Sequence, residues 1–263
     1  MKKIFSLIGG FAIILLSFYL TDKVSFMIIN KSYLMKEIET ASSMYNEQPS
    51  NAIIDNDNNS IIPGKYGKII NEYDSYNKMK DFKVFNQNFL VYDYIKPSKS
   101  LEDNKDKYII SGNKSNRNVS IILEYNEELI NFLNSENIKY NVILEKEDEY
   151  KKDLSYINGA YNQEDFYKIN KLLKTPLCIK QYSNILLCLK ENYYIISPQI
   201  VIYKDYLSFK KINNGSFILV KNNTSLENMN LLIKDLRYKN LEPVYVSTLI
   251  KEKWHRLFFL NLI

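Results

Sequence analysis

Histidine, cysteine and arginine are nearly missing from this chain of 263 residues, which has one histidine (His255), two cysteines (Cys178 and Cys188) and three arginines (Arg117, Arg237 and Arg256). A structural zinc site needs four Cys/His ligands close together, and three candidates far apart in sequence cannot supply them. A nucleophile activated by histidine would have to use His255, eight residues from the C-terminus. Two cysteines exclude a disulfide-scaffold fold. The formal charge is +5, but lysine supplies almost all of the 35 basic residues. Base readout and bidentate phosphate contacts favour arginine, so no nucleic-acid partner is expected.

What is present is an ordinary globular composition, with 46% hydrophobic and 25% charged residues. The length suits one to two domains with a sizeable core. Lysine, asparagine, isoleucine and tyrosine are abundant and share AT-rich codons, which marks a low-GC bacterial genome, not a function. After Lys2 and Lys3 comes an uncharged run over residues 4–20. At about 1.5 Å per residue it reaches roughly 26 Å, the short end of a bilayer span. Its end, Ser17-Phe18-Tyr19-Leu20, lacks the small residues that a signal-peptide cleavage site requires, and no nearby cysteine would allow a lipoprotein. Residues 1–23 are therefore expected to be an uncleaved signal anchor. The flanking lysines orient the rest of the chain to the extracytoplasmic side of the cell membrane.

Residues 24–60 read as a linker that carries a short helix over 35–44; its stretch 46–60 is rich in Asn, Asp, Ser and Pro. A small subdomain is expected over 61–107. From 108 to 253 strands alternate with helices. Strands are predicted over 119–125, 140–144, 177–179, 193–196, 200–203, 215–220 and 244–246, and helices over 127–135, 163–174, 184–192 and 226–238. This order predicts an α/β fold with mostly parallel strands, either an open sheet or a β/α barrel. An apolar tail over 254–263 closes the chain; it is expected to pack as a last helix, the alternative being a membrane or partner surface.

Four blocks of this region resemble the NodB-like polysaccharide deacetylases. Val119-Ser-Ile-Ile-Leu-Glu-Tyr-Asn126 is similar to that family's first strand, V-A-L-T-F-D-D-G. Asn137-Ile-Lys-Tyr-Asn-Val-Ile143 is similar to its second, k-y-n-I-K-A-T-F-F. Gly159-Ala-Tyr-Asn-Gln-Glu-Asp-Phe166 matches H-x-Y-x-H-x-D-L, and Gly215-Ser-Phe-Ile-Leu-Val-Lys-Asn222 matches the closing G-S-I-I-L-L-H-D. A helix and residues 240–250 follow as they do in the family. The resemblance implies an irregular β/α barrel and metal-assisted hydrolysis of the amide of an N-acetyl sugar. In that chemistry one aspartate is the base, a second aspartate and two histidines hold the divalent metal, and a late histidine protonates the leaving amine.

Carried over residue by residue, the chemistry does not survive. The base falls on Glu124, the metal ligands on Tyr125, Gly159 and Gln163, and the acid on Lys221. Glycine offers no donor, glutamine is a poor ligand, and tyrosine and lysine are protonated at neutral pH. No metal or other cofactor is expected. Glu124 reads in two ways: as a base or sugar-hydroxyl contact, or as a rim carboxylate satisfied by Lys221 across the barrel. Tyr125 and Tyr161 are candidate glycan contacts by their place in the motif; Tyr193 and Tyr194 share the residue type but sit among 22 tyrosines. Cys178 and Cys188, ten apart, could form a disulfide or stay as buried thiols. The expected function is a membrane-anchored, extracytoplasmic pseudoenzyme that binds glycan or scaffolds envelope proteins. Two alternatives are a hydrolase that uses Glu124 without metal, and an interaction or regulatory module working through residues 61–107.

Overall fold

The computed structural model describes residues 27–173, 175–204 and 211–253, together with Ser17 and Lys23. The expected anchor helix over 4–20, His255 and the tail 254–263 lie outside the described residues, Ser17 excepted. Among the described residues no helix is long and apolar enough to cross a membrane. The chain divides into two compact units, one of Met1–Gln48 with Gly67–Ile95 and one of Pro49–Tyr66 with Lys96–Ile263.

In chain order the elements are α1 (Tyr33–Tyr45), β1 (Ile53–Asp55), β2 (Ser60–Ile62), β3 (Gly67–Ile70), α2 (Glu72–Met79), β4 (Tyr92–Ile95), β5 (Tyr108–Ile109), β6 (Asn118–Leu123) and α3 (Glu127–Ser135). Then come β7 (Tyr140–Leu144), β8 (Tyr156–Asn158), α4 (Gln163–Leu172), β9 (Leu177–Ile179), α5 (Ile185–Lys190), β10 (Tyr194–Ile196) and β11 (Ile200–Ile202). The last are β12 (Phe217–Val220), α6 (Leu226–Tyr238), β13 (Glu242–Pro243) and α7 (Val246–Leu249).

The first unit is small. Helix α1 buries Leu34, Met35, Ile38 and Ala41, an i, i+1, i+4, i+7 stripe, against Ile70, Met79 and Leu90. The antiparallel pair β3–β4 and helix α2 complete it.

In the second unit a sheet runs in the order β1-β2-β5-β10-β9-β8-β7-β6-β12-β11, with β13 paired to β6. All of these pairings are parallel except the hairpin β1–β2. Strand alternation sorts the side chains onto two faces. Val119, Ile121, Leu123, Val142, Leu144, Ile195 and Ile218 face the helices, packed with Leu129, Leu133, Phe166, Ile169, Leu232 and Leu236. Ile61, Ile109, Ile122, Ile143, Ile157, Ile179, Ile196, Phe217 and Leu219 meet on the other face in one cluster. A flat sheet would keep residues from so many strands apart, so the sheet is curled and they line its concave side. Each such side chain removed from water stabilises the fold by roughly 1.5–3 kcal/mol. Among the described residues no ladder joins β1 to β11; the expected barrel is an open, curled half-barrel.

Asparagine punctuates the helices. Asn71, Asn126, Asn162 and Asn184 are N-caps whose side chains accept the N–H of Asp74, Leu129, Asp165 and Leu187. Past the ends of α3, α5 and α6, Asn137, Asn192 and Asn240 take φ of 55°, 58° and 53°. The paired bonds of a Schellman close follow there, for example Ile138 N–H to Leu133 O at 2.9 Å and Asn137 N–H to Asn134 O at 3.1 Å. Asparagine here takes the place usually held by glycine, of which the chain has only 7.

Three expectations need correction. Residues 24–60 are not a plain linker: α1 is a core helix, and residues 53–62 form the edge hairpin of the main sheet. The Asn/Asp chemistry that suggests a linker also builds the hairpin turn, where Asp55 accepts the N–H of Asp57 at 3.0 Å and Asn59 takes φ 48°. The expected subdomain over 61–107 is split, because Ile61 pairs in parallel register with Ile109 while residues 67–95 join the first unit. The expected last strand over 244–246 is displaced, β13 lying just before it and α7 starting at Val246. Strand β8 was not expected; three residues are too short to show a period.

Candidate functional site

The carboxyl ends of parallel strands leave backbone groups and loops free to build sites. Strand β6 lies between β12 and β7, with Leu123 opposite Val220 and Val142. The next residues, Glu124 and Lys221, therefore emerge side by side. Alternation from the outward Leu123 and Val220 turns both to the concave side.

There Lys221 Nζ donates to Glu124 Oε1 at 2.8 Å, and the Asn222 N–H donates to Oε2 at 2.9 Å. The Tyr182 hydroxyl, in the loop after β9, also donates to Glu124 Oε1 and accepts from Lys221 Nζ. Asn126 Nδ2 donates to the Asn222 carbonyl at 2.7 Å, tying the ends of β6 and β12 together. The Glu124 side chain is 16% exposed and that of Lys221 33%.

Burial pushes the Glu124 carboxyl upward, but the hydrogen bonds from Lys221, Tyr182 and Asn222 outweigh it and hold the group below the usual glutamate range. Burial works to lower Lys221, yet Glu124 and Tyr182 keep its ammonium above the usual lysine range. The Tyr182 phenol, buried and donating to a carboxylate, is pushed up to about 12. The three groups thus form a closed set with the carboxylate charged, the ammonium charged and the phenol protonated. A base already bonded to an ammonium and a phenol is a weak acceptor for a substrate proton.

The other motif positions do not join them. Alternation turns Tyr125 to the opposite face from Glu124, where it packs against the helix-side core with Lys151 Nζ 5.3 Å from its ring centroid. Gln163 is exposed at the first position of α4. Tyr161 is 77% exposed. Gly159 follows β8 on the concave side, where a Cβ would run into Ile143 Cγ2 and approach Glu145 Cγ at 3.3 Å. A larger residue there has no room unless Ile143 moves.

The residues present do not fit the divalent metal that the fold family implies. Tyr125 faces away, Gly159 has no donor and Gln163 lies on the surface. Among the described residues no group of three or more His, Cys, Asp or Glu side chains could hold a metal ion.

Two members of this region were missed from sequence. Tyr182 lies three residues past Ile179, the end of β9, and only its place in a strand-end loop could have suggested it. Glu145 follows β7, and its carboxyl is raised by burial first and then by Glu149 and Glu124. Cys178 on β9 and Cys188 on α5 are joined as a disulfide, with Cα atoms 6.3 Å apart.

With that geometry in place, the chain can be set beside known proteins. A CE4 family pseudoenzyme from Bacillus anthracis superposes with a TM-score of 0.57 over 84% of this chain and 96% of its own, at 19% sequence identity. The chain has the CE4 fold. A mutant of that pseudoenzyme with restored enzymatic activity superposes with a TM-score of 0.55 over 84% of this chain and 99% of its own, at 18% identity. The sequence is also similar to the uncharacterized protein YlxY of Bacillus subtilis, with 33% identity over an alignment of 122 residues that covers 44% of this chain. The match spans 38% of the length of that relative. No family model matches. The CE4 fold agrees with the NodB-like resemblance read from the sequence.

Proposed function

We propose that this protein is a membrane-anchored, extracytoplasmic pseudoenzyme of the CE4 fold, holding a glycan-binding or scaffolding role at the cell envelope. The observation that carries it is the Glu124–Tyr182–Lys221 network, which ties up the sole carboxylate left at the family's catalytic positions. The steric closure over Gly159 supports the same reading, since restoring a ligand there takes more than exchanging one residue. The Cys178–Cys188 disulfide supports an oxidising, extracytoplasmic setting. So do the lysines that precede the apolar run of residues 4–20.

The test is acetate release from N-acetylated chitooligosaccharides and peptidoglycan, with and without added divalent cations. No release is expected in either condition, alongside retention on insoluble peptidoglycan. Release that Glu124→Gln abolishes would overturn the reading.

One observation favours the alternative of a metal-independent hydrolase: Glu124 is held low while Glu145 is held high. Two carboxyls pushed apart by their surroundings can divide acid and base roles. In that case Glu145→Gln would also abolish release.

A further inference from the structure

The first unit carries an apolar surface that its own core does not use. Phe82 and Val84 are each 66% exposed and Phe89 is 38% exposed. The rings of Phe82 and Phe89 stack with centroids 5.6 Å apart and planes within 7°.

The segment is pinned in place. The N–H groups of Phe82 and Lys83 both donate to Met79 O at 3.0 Å, closing the end of α2. Phe85 and Leu90 pack into the core beneath. Lys83 takes φ 54°, a left-handed conformation that costs energy for a residue with a Cβ. That turn lies between Phe82 and Val84, and both face solvent. Around them Lys78, Lys80 and Lys83 are exposed, against Asp81 as the single acid between 78 and 89. Exposed aromatic and aliphatic side chains interspersed in sequence with exposed lysines suit an interface that is apolar below and negative at its surface.

The chain itself indicates which surface that is. Twelve residues separate Leu20, the end of the apolar run, from Tyr33, the start of α1. Even fully extended they reach only roughly 45 Å. If residues 4–20 span a bilayer, this unit is confined to that distance from it, at high effective concentration.

We propose that the Phe82–Val84–Phe89 surface docks onto an anionic bilayer, so that the first unit lies on the membrane that anchors the chain. The proposal rests on the anchor reading of residues 4–20. Phe82, Val84 and Phe89 enter the interface between headgroups and acyl chains while Lys78, Lys80 and Lys83 meet lipid phosphates.

The test uses the full chain with Val84→Cys carrying an environment-sensitive NBD fluorophore; the native cysteines are tied in a disulfide, so the new thiol is unique. In vesicles of phosphatidylglycerol and phosphatidylcholine the emission should shift to the blue and rise severalfold over that in detergent micelles. Vesicles of phosphatidylcholine alone, or the charge reversals Lys78→Glu, Lys80→Glu and Lys83→Glu together, should remove at least half of the rise without touching the core. The pair Phe82→Ser and Phe89→Ser should remove the remainder. A label at Tyr238→Cys, 86% exposed on α6 of the other unit, serves as the reference and should not change. If the chain floats with the vesicles but the label at position 84 stays water-like, the docking proposal falls and the anchor stands. If the chain does not float with them, both fall. A blue shift that needs no lipid and grows with protein concentration would overturn the proposal in favour of self-association.

Discussion

Glu124 and Glu252 are both drawn into the sheet unit, the first at the carboxyl ends of the strands and the second beside the amino ends of β9 and β10. Glu124 meets burial with a cation: Lys221 compensates its charge, Tyr182 and the Asn222 N–H donate to it as well, and its carboxyl is held low. Glu252, 8% exposed, is met by backbone N–H groups, and Lys96 lowers its carboxyl less than burial raises it. Its oxygens accept the Gly64 N–H at 2.8 Å and the Leu101 N–H at 2.9 Å, while its own carbonyl accepts the Tyr66 N–H at 2.9 Å. Burial wins there and its carboxyl is held above the usual range. A cleft of about 470 Å³, lined in part by Leu101, Leu177, Tyr194 and Ile250, adjoins it. The contrast separates two uses of a buried carboxylate. Glu252 staples segments 64–66 and 101 to the end of the sheet unit, a structural task. Glu124, which the sequence resemblance aligns with the base of the deacetylases, is neutralised by Lys221 from the neighbouring strand and held by Tyr182 from the loop after β9.

The largest expected effect is at Glu252. Glu252→Ala leaves two buried N–H groups without an acceptor and should cost about 3 kcal/mol of folding stability, read as a fall in the urea midpoint at constant slope. A cost under about 1 kcal/mol would mean that water replaces the carboxylate and the staple is dispensable.

Next comes Lys221→Met, which strands the Glu124 carboxylate and should cost about 2 kcal/mol. Adding Glu124→Gln should recover part of that loss, since the unpaired charge goes with it. Additive costs in the double variant would show that the two residues do not act as a pair.

The two sites should also answer pH with opposite signs. Glu124 has a depressed folded pKa, so its stabilisation is complete above the usual glutamate value and is lost as pH falls through the depressed one. Glu252 has a raised folded pKa, so its favourable contribution is present below the usual value and is lost as pH rises through the raised one. Relative to wild type, Glu124→Gln should therefore destabilise more at pH 7 than at pH 4, and Glu252→Gln more at pH 4 than at pH 7. Denaturant titrations at both pH values check this, and slopes of the same sign would erase the distinction.

The smallest effect is expected from Tyr182→Phe, about 1.5 kcal/mol for the hydroxyl's hydrogen bonds to two charged groups. The Glu124 carboxyl should then rise toward its usual range, visible in its carbon-13 chemical shift on acid titration. An unmoved Glu124 would assign the network to Lys221 and Asn222 alone.

The contact of Glu124 with Lys221 was legible because the motif blocks place both at the ends of core strands, but it was expected across the barrel, whereas β12 lies directly beside β6. Tyr182 was not, since a loop tyrosine among 22 has no periodic signature. Glu252 was not either: flanked by Lys251 and Lys253 it reads as part of a solvated charge run. The helices α3 and α6 were read to their ends, because their apolar faces repeat over several turns. The hairpin β1–β2 was lost, because its strands are three residues long and its turn uses the residue types of a linker.

By itself the sequence determined the strand–helix alternation and the residue types at the positions aligned with the deacetylase motif, where only Glu124 offers a carboxylate and none an imidazole. These follow from side-chain chemistry and from periods of 2 and 3.6, which are local. The tertiary structure alone decided that residues 49–66 complete the sheet edge, that Cys178 and Cys188 are bonded, that Tyr182 closes the network and that Ile143 fills the space beside Gly159. Each of these depends on contacts between separate elements, which no local period encodes and which form only when the elements pack together.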